Sequence, residues 1–294
     1  MTSVLYDVPG PRARRRSRIL SVVTILVVTA LLAFAVVQLA RAGQLDAERW
    51  LIFNDPLIWQ ALLRGLWIVV QSAATAAVLA IIVGVVFALL RQSELRVVRI
   101  PTTVVLEFFR GMPVLLMMLF IYLLFPIGAY WSVVAALTVY NGAIIGEALR
   151  SGMLALPKGQ REAGLAIGLR PLQNRLLIEF PQAFRNMLPI IVAQLVVLIK
   201  DTALGTVVGQ VGLVKEGELL AEYLGRSTYY FPLFVVMVAM YLALNLLVSA
   251  IARRLARRRN QSGTSTATPA DTGTGGAAAA APLEGGAAVA GAST

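Results

Sequence analysis

Apolar runs long enough to cross a lipid bilayer leave this chain few folds to choose from. Residues 19–40 carry no charge, and these 22 residues match a hydrocarbon core of about 30 Å. Comparable runs cover 66–90, 100–125, 130–148, 186–214 and 229–252. A helix satisfies its own backbone polar groups in lipid, so each run predicts a transmembrane helix. The expected fold is all-α, with six spans. For 19–40 a secretory leader competes, because Ala40 and Ala42 resemble a cleavage site, but the run exceeds an ordinary leader's apolar region.

Composition removes other classes. Apolar residues make up 58% of the chain and charged residues 14%, where soluble domains carry about 25% charge. There is no cysteine and no histidine, so disulfides, thiol chemistry and the usual general base and metal ligand are excluded. No catalytic or metal-ligating residue is expected. A net charge of +11 is compatible with nucleic-acid binding, yet the basic residues cluster beside the apolar runs. Nineteen flank one set of run ends and five the other. The positive-inside rule then places both termini in the cytoplasm of a multi-pass plasma-membrane protein surrounded by lipid.

The expected organisation follows in chain order. Residues 1–18 form a basic cytoplasmic N-terminus, 19–40 the first span and 41–61 an extracellular segment. Residues 62–259 form the main membrane domain, with a cytoplasmic loop over 150–185. Residues 260–294, rich in Ala, Gly, Thr and Ser, read as a disordered tail.

The loop holds the most patterned charged stretch, PKGQREAGLAIGLRPLQNRLLIEFP over 157–181. Pro157 and Pro171 each suit a first helical turn, and Gly168 suits a helix end. Ala163, Ala166 and Ile167 fall on one face at helical spacing. Two short amphipathic helices on the inner surface are expected, shaped for docking. Gly164 and Gly168, four apart, would admit a close backbone.

The run Glu162-Ala-Gly-Leu-Ala-Ile-Gly168, followed by Ile178, Glu179, Phe180 and Pro181, resembles the EAA motif of ABC importer permeases. Gly164 stands where Ala is usual, and Phe180 where Leu is usual. Residues 107–113 (EFFRGMP), 147–153 (EALRSGM) and 198–204 (LIKDTAL) resemble the polar amino-acid branch of that family. The resemblance spans roughly 62–252. It implies a type I (MetI-like) permease fold of five core transmembrane helices plus one extra N-terminal helix. It implies a coupling helix over 159–169, with Lys158, Gly159, Arg161, Glu162, Ala163, Gly164, Gly168 and Pro181 meeting an ATPase. No phosphate-binding loop occurs in the chain, so ATP and Mg would belong to a dimer of separate ATPase subunits. The other implied partners are a second permease subunit, identical or related, an extracellular solute-binding protein and an amino-acid substrate. The nearest resemblance is to glutamate permeases of high-GC Gram-positive bacteria.

Lys200 and Asp201 stand out at membrane depth, where charge needs a partner or a cavity. Neighbouring residues on a helix do not face each other, so either each has a partner elsewhere or the helix breaks. Asp201 before Thr202 suits an N-cap. Lys200, Asp201 and Thr202 are therefore candidate substrate or gate residues. Glu107 with Arg110 and Glu147 with Arg150 can pair at i, i+3. With Pro113, which should bend its helix, they are expected at an inner gate or in a structural role. Gly142 with Gly146 and Gly205 with Gly209 are small-residue pairs suited to tight helix packing. The segment 215–228, with Glu216, Glu218 and Glu222, is expected outside, exposed or touching the binding protein. An ion-driven secondary transporter is the alternative, though neither an internal repeat nor further intramembrane carboxylates are seen.

Overall fold

A computed structural model describes residues 10–261, and all of their regular structure is helical. The 1–9 part of the basic N-terminus and nearly all of the tail expected over 260–294 lie outside the described residues. Helix α1 (Pro11–Arg41) starts on a proline and carries its apolar run fully exposed, as a helix facing lipid would. A short helix α2 (Ala47–Trp50) and a 3-10 turn lead to α3 (Pro56–Arg91). The Asp55 carboxylate accepts from the Leu57 N–H at 2.9 Å, and Pro56 occupies the first turn. This cap starts α3 ten residues ahead of the apolar run at 66.

Helix α3 buries a stripe of small residues, including Ala73, Ala76, Ala80, Gly84 and Ala88. The stripe lies against α6 (Gly128–Leu154). A Cβ on Gly146 would sit 2.9 Å from the Gly84 carbonyl oxygen, and one on Gly84 would sit 3.0 Å from that of Gly142. The Gly142/Gly146 pair thus sets a backbone-to-backbone crossing. The second glycine pair does not. Gly209 has φ +82 and open space around it, so it serves a turn, while Gly205 lies under the Gln210 side chain.

The apolar run at 100–125 is not one straight helix. It divides into α4 (Arg96–Gly111) and α5 (Val114–Leu124), bent by 105°. Met112 and Pro113 between them are extended, with ψ near 129 at both. The residue before proline is pushed out of the helical region, so a full break replaces the expected bend. Taken together the pair makes one crossing. With α3, α6 and two later helices it gives five core crossings, and α1 is the addition.

Only the first of the two expected short helices stands alone, as α7 (Lys158–Ala166). The second, α8 (Pro171–Asn174), runs through a π turn (Arg175–Glu179) into α9 (Phe180–Asp201). Pro181 explains the widening: it has no N–H for the preceding turn, and its ring crowds a normal helical carbonyl. After Asp201 the chain tightens into a 3-10 segment over Thr202–Val208, which ends at Gly209. The segment expected to be exposed after 214 is instead a helix, α10 (Leu213–Leu224), packed on α3 with Glu216 and Gly217 buried. A Cβ on Gly65 would sit 2.8 Å from the Leu213 Cα. Helix α11 (Arg226–Gln261) completes the set and adds Leu233 and Met237 to the main core.

Candidate functional site

Helix α7 is a short projecting rod. Lys158, Gly159, Arg161, Glu162 and Ala163 are all exposed, and Gly164 is its one buried residue. Pro157 precedes it in the N-cap position. Gly168, at φ +86, closes its C-terminus: the Leu169 N–H donates to the Gly164 carbonyl at 3.2 Å. The apolar face expected from Ala163, Ala166 and Ile167 is not turned inward; all three are exposed.

What holds α7 is Asn174, a residue with no role in the sequence reading. It is 1% exposed. Its Nδ2 donates to the Arg161 carbonyl at 3.1 Å and to Glu179 Oε1 at 3.3 Å. Its carbonyl end fills the notch over Gly164, where a Cβ would stand 1.9 Å from Oδ1. The departure from Ala at 164 is therefore matched by a side chain ten positions on. Gly168 admits no such neighbour; its surroundings are open. Arg175 is buried in the π turn and reaches Glu94 at 3.5 Å. The α7 rod is thus fixed to the start of α9, the fourth core crossing, with Pro181 in its first turn.

Near the same end of the bundle, the two expected ion pairs form and are joined into one network. Arg110 approaches Glu107 at 3.4 Å, and Arg150 holds Glu147 by two bonds of 2.6 and 2.9 Å. Arg91 links them: it pairs with Glu147 and reaches Glu107 at 3.1 Å. Arg91 lies 56 residues from Glu147, so no local spacing marks it. The network ties α3, α4 and α6 together.

Lys200 and Asp201 sit at the end of α9. Lys200 is exposed and Asp201 half-buried, and neither side chain has an ion-pair or hydrogen-bond partner among the described residues. The helix changes character there, but Asp201 does not cap it. Its backbone stays helical and its carboxylate accepts nothing. Thr202 is buried, and its hydroxyl donates back to the Ile199 carbonyl at 2.7 Å. Deeper along α9, Gln194 donates to the buried Asn141 of α6 at 2.8 Å. That polar bridge was missed because lone amides in apolar runs carry no spacing signal.

A bundle of lipid-length helices with an exposed charged rod at one end is the architecture of a membrane-spanning component of a larger assembly. The chain belongs to the family described as binding-protein-dependent transport system inner membrane component, whose model matches residues 80–261. It is 39% identical over 229 residues to the glutamate transport system permease protein GluD of Corynebacterium glutamicum, covering 75% of this chain and 83% of that protein. It is 32% identical to the probable glutamine ABC transporter permease protein GlnP of Bacillus subtilis, covering 69% and 93%. Among solved structures, an amino acid ABC transporter crystallised with histidines matches with TM-score 0.62 at 25% identity, covering 68% of this chain and 94% of that one. The MetNI methionine ABC transporter in an inward-facing conformation shares the fold, with TM-score 0.58 at 19% identity and coverage of 69% and 98%.

Proposed function

We propose that this chain is the permease subunit of an ATP-driven importer for a polar amino acid, with glutamate the first substrate to test. The observation that carries this reading is α7: an exposed charged rod pinned by Asn174 to the start of a membrane-crossing helix. A rod so fixed moves with its helix, since packed elements switch between discrete arrangements and do not stretch. The α7 end faces the cytoplasm, where the basic residues gather, and both termini lie on that side. ATPase subunits grip α7 through Lys158, Gly159, Arg161, Glu162 and Ala163. ATP and Mg act in that partner. The relatives' printed substrates, glutamate and glutamine, support the substrate class.

The exposed ammonium of Lys200 supports a second permease subunit. An unpaired charge at membrane depth must meet something other than lipid. Lys200 and the half-buried Asp201 would face the passage between two subunits, with Lys200 available to a substrate carboxylate; Thr202, buried and bonded back to Ile199, lies behind them and does not reach the passage. The Glu107–Arg110 and Glu147–Arg150 pairs, joined by Arg91, close the inner end. A solute-binding protein delivers substrate from outside.

Vesicles containing the assembled complex, loaded with ATP on the α7 side, should take up labelled glutamate. The double variant Arg161→Glu/Glu162→Arg should lose the co-purifying ATPase or hydrolyse ATP without uptake. Lys200→Ala should retain assembly and lose uptake. Full uptake by both variants would end this reading, and ATP-independent uptake driven by an ion gradient would favour a secondary transporter.

A further inference from the structure

Between the end of α3, helix α4 and the end of α6 lies a cleft of about 310 Å³, lined by Arg91, Arg99, Ile100, Thr103, Val104 and Arg150. Its two halves differ in chemistry. One wall is guanidinium. The other is apolar and continues onto the outer ridge of α4, where Val97, Ile100, Val104 and Phe108 are 85, 57, 63 and 62% exposed. These four recur at helical spacing, so they form one stripe. A stripe of that kind beside arginines is the pattern of a helix at the membrane boundary, apolar face in the acyl region and charge at the headgroups. The 105° turn sets α4 at a steep angle to α5, so α4 forms the boundary arm of the broken crossing that α5 continues.

The charge around the cleft is not balanced. Arg91, Arg110 and Arg150 share the two carboxylates of Glu107 and Glu147. Arg99 has no ion partner among the described residues. Four arginines against two glutamates leave a surplus of two positive charges. A second cleft of about 350 Å³ shares Arg91, Arg99 and Arg150 and continues to Arg161 and the Arg175–Glu94 pair.

We propose that this cleft binds an anionic phospholipid: the phosphate on Arg99, Arg91 and Arg150, the acyl chain along Ile100 and Val104. The volume supports a headgroup, being that of about ten waters, and it excludes a whole lipid. The tails must therefore lie outside, where the apolar ridge is. Basic pockets between membrane helices recognise phosphate headgroups by this charge-assisted chemistry. A free phosphate would use the arginines and have no use for the apolar wall.

The test is native mass spectrometry of the full-length chain in detergent, titrated with phosphatidylglycerol, phosphatidylcholine or inorganic phosphate. Phosphatidylglycerol should bind at least tenfold tighter than phosphatidylcholine. Arg99→Gln should weaken phosphatidylglycerol at least fivefold, and Arg99→Lys should keep most of it. Val104→Ser should weaken phosphatidylglycerol and leave inorganic phosphate unchanged; it also serves if Arg99→Gln misfolds. Equal binding of the two lipids, or insensitivity to both Arg99→Gln and Val104→Ser, overturns the proposal. Displacement of the lipid by inorganic phosphate, with Val104→Ser silent, overturns it in favour of a soluble-anion site. The readout needs neither ATPase nor substrate, so it stands or falls apart from the transport assays.

Discussion

Replacing Gly164 by Ala restores the residue the motif usually has, yet it should damage this protein. The new Cβ would lie 1.9 Å from Asn174 Oδ1 and 2.7 Å from Ile178 Cδ1. Ordinary contact begins near 3.4 Å, so the amide must retreat by about 1.5 Å. It cannot do so and keep its bonds to the Arg161 carbonyl and Glu179, which are already 3.1 and 3.3 Å long. Overpacking of this kind costs about 1–3 kcal/mol, and each lost bond about 1 kcal/mol. Helix propensity returns about 0.5–1 kcal/mol. With both bonds lost the net loss is roughly 3 kcal/mol, or about 6–12 °C in melting temperature for a domain near this size. Asn174→Ala alone should also destabilise, because it leaves Glu179 buried without its donor. The double variant should cost at least about 1 kcal/mol less than the sum of the two, since removing the amide removes the clash. Thermal unfolding of all four proteins in one detergent, followed by tryptophan fluorescence, closes the cycle. A Gly164→Ala protein melting with wild type, or strict additivity, would refute the interlock. In the assembled complex the same variant should lower uptake per ATP hydrolysed, which a loss of stability alone would not do.

Two further predictions concern packing and charge. Gly146→Ala should cost about 1–3 kcal/mol, because its Cβ meets the Gly84 carbonyl, backbone that cannot rotate away; an unchanged melting temperature would contradict the close α3–α6 crossing. Glu147→Gln should destabilise by about 1–3 kcal/mol by leaving Arg91 and Arg150 facing each other at a partly buried site. Raising salt should recover part of that loss by screening the repulsion, so a salt-independent deficit would count against an electrostatic cause.

The crossings were legible because lipid imposes length and apolarity on every one of them. The α7 helix was legible through Gly168, whose left-handed φ stops it. The break between α4 and α5 was only half legible: Pro113 marked the place, but a bend and a full turn look alike in sequence. Asn174 and Arg91 were hidden for a different reason. Their partners lie 13 and 56 residues away, and no periodicity reaches that far. The N-cap reading of Asp201 failed because the backbone continued into a 3-10 turn, leaving no free N–H for the carboxylate. Gly164 read as a bare substitution until the fold supplied the side chain that fills it.

The π turn at Arg175–Glu179 works as a phase buffer. An extra residue in a regular α-helix swings its successors by about 100°, and the widened turn absorbs that swing because it holds one residue more than an α turn. Deleting a single residue there would let the turn close as ordinary α-helix and leave Gln194 facing Asn141. The same deletion between Pro181 and Gln194 has no widened turn to draw on and would turn Gln194 about a quarter-turn away. The path from the inner rod to the membrane interior thus tolerates a change of length at one place and not along the rest of the helix.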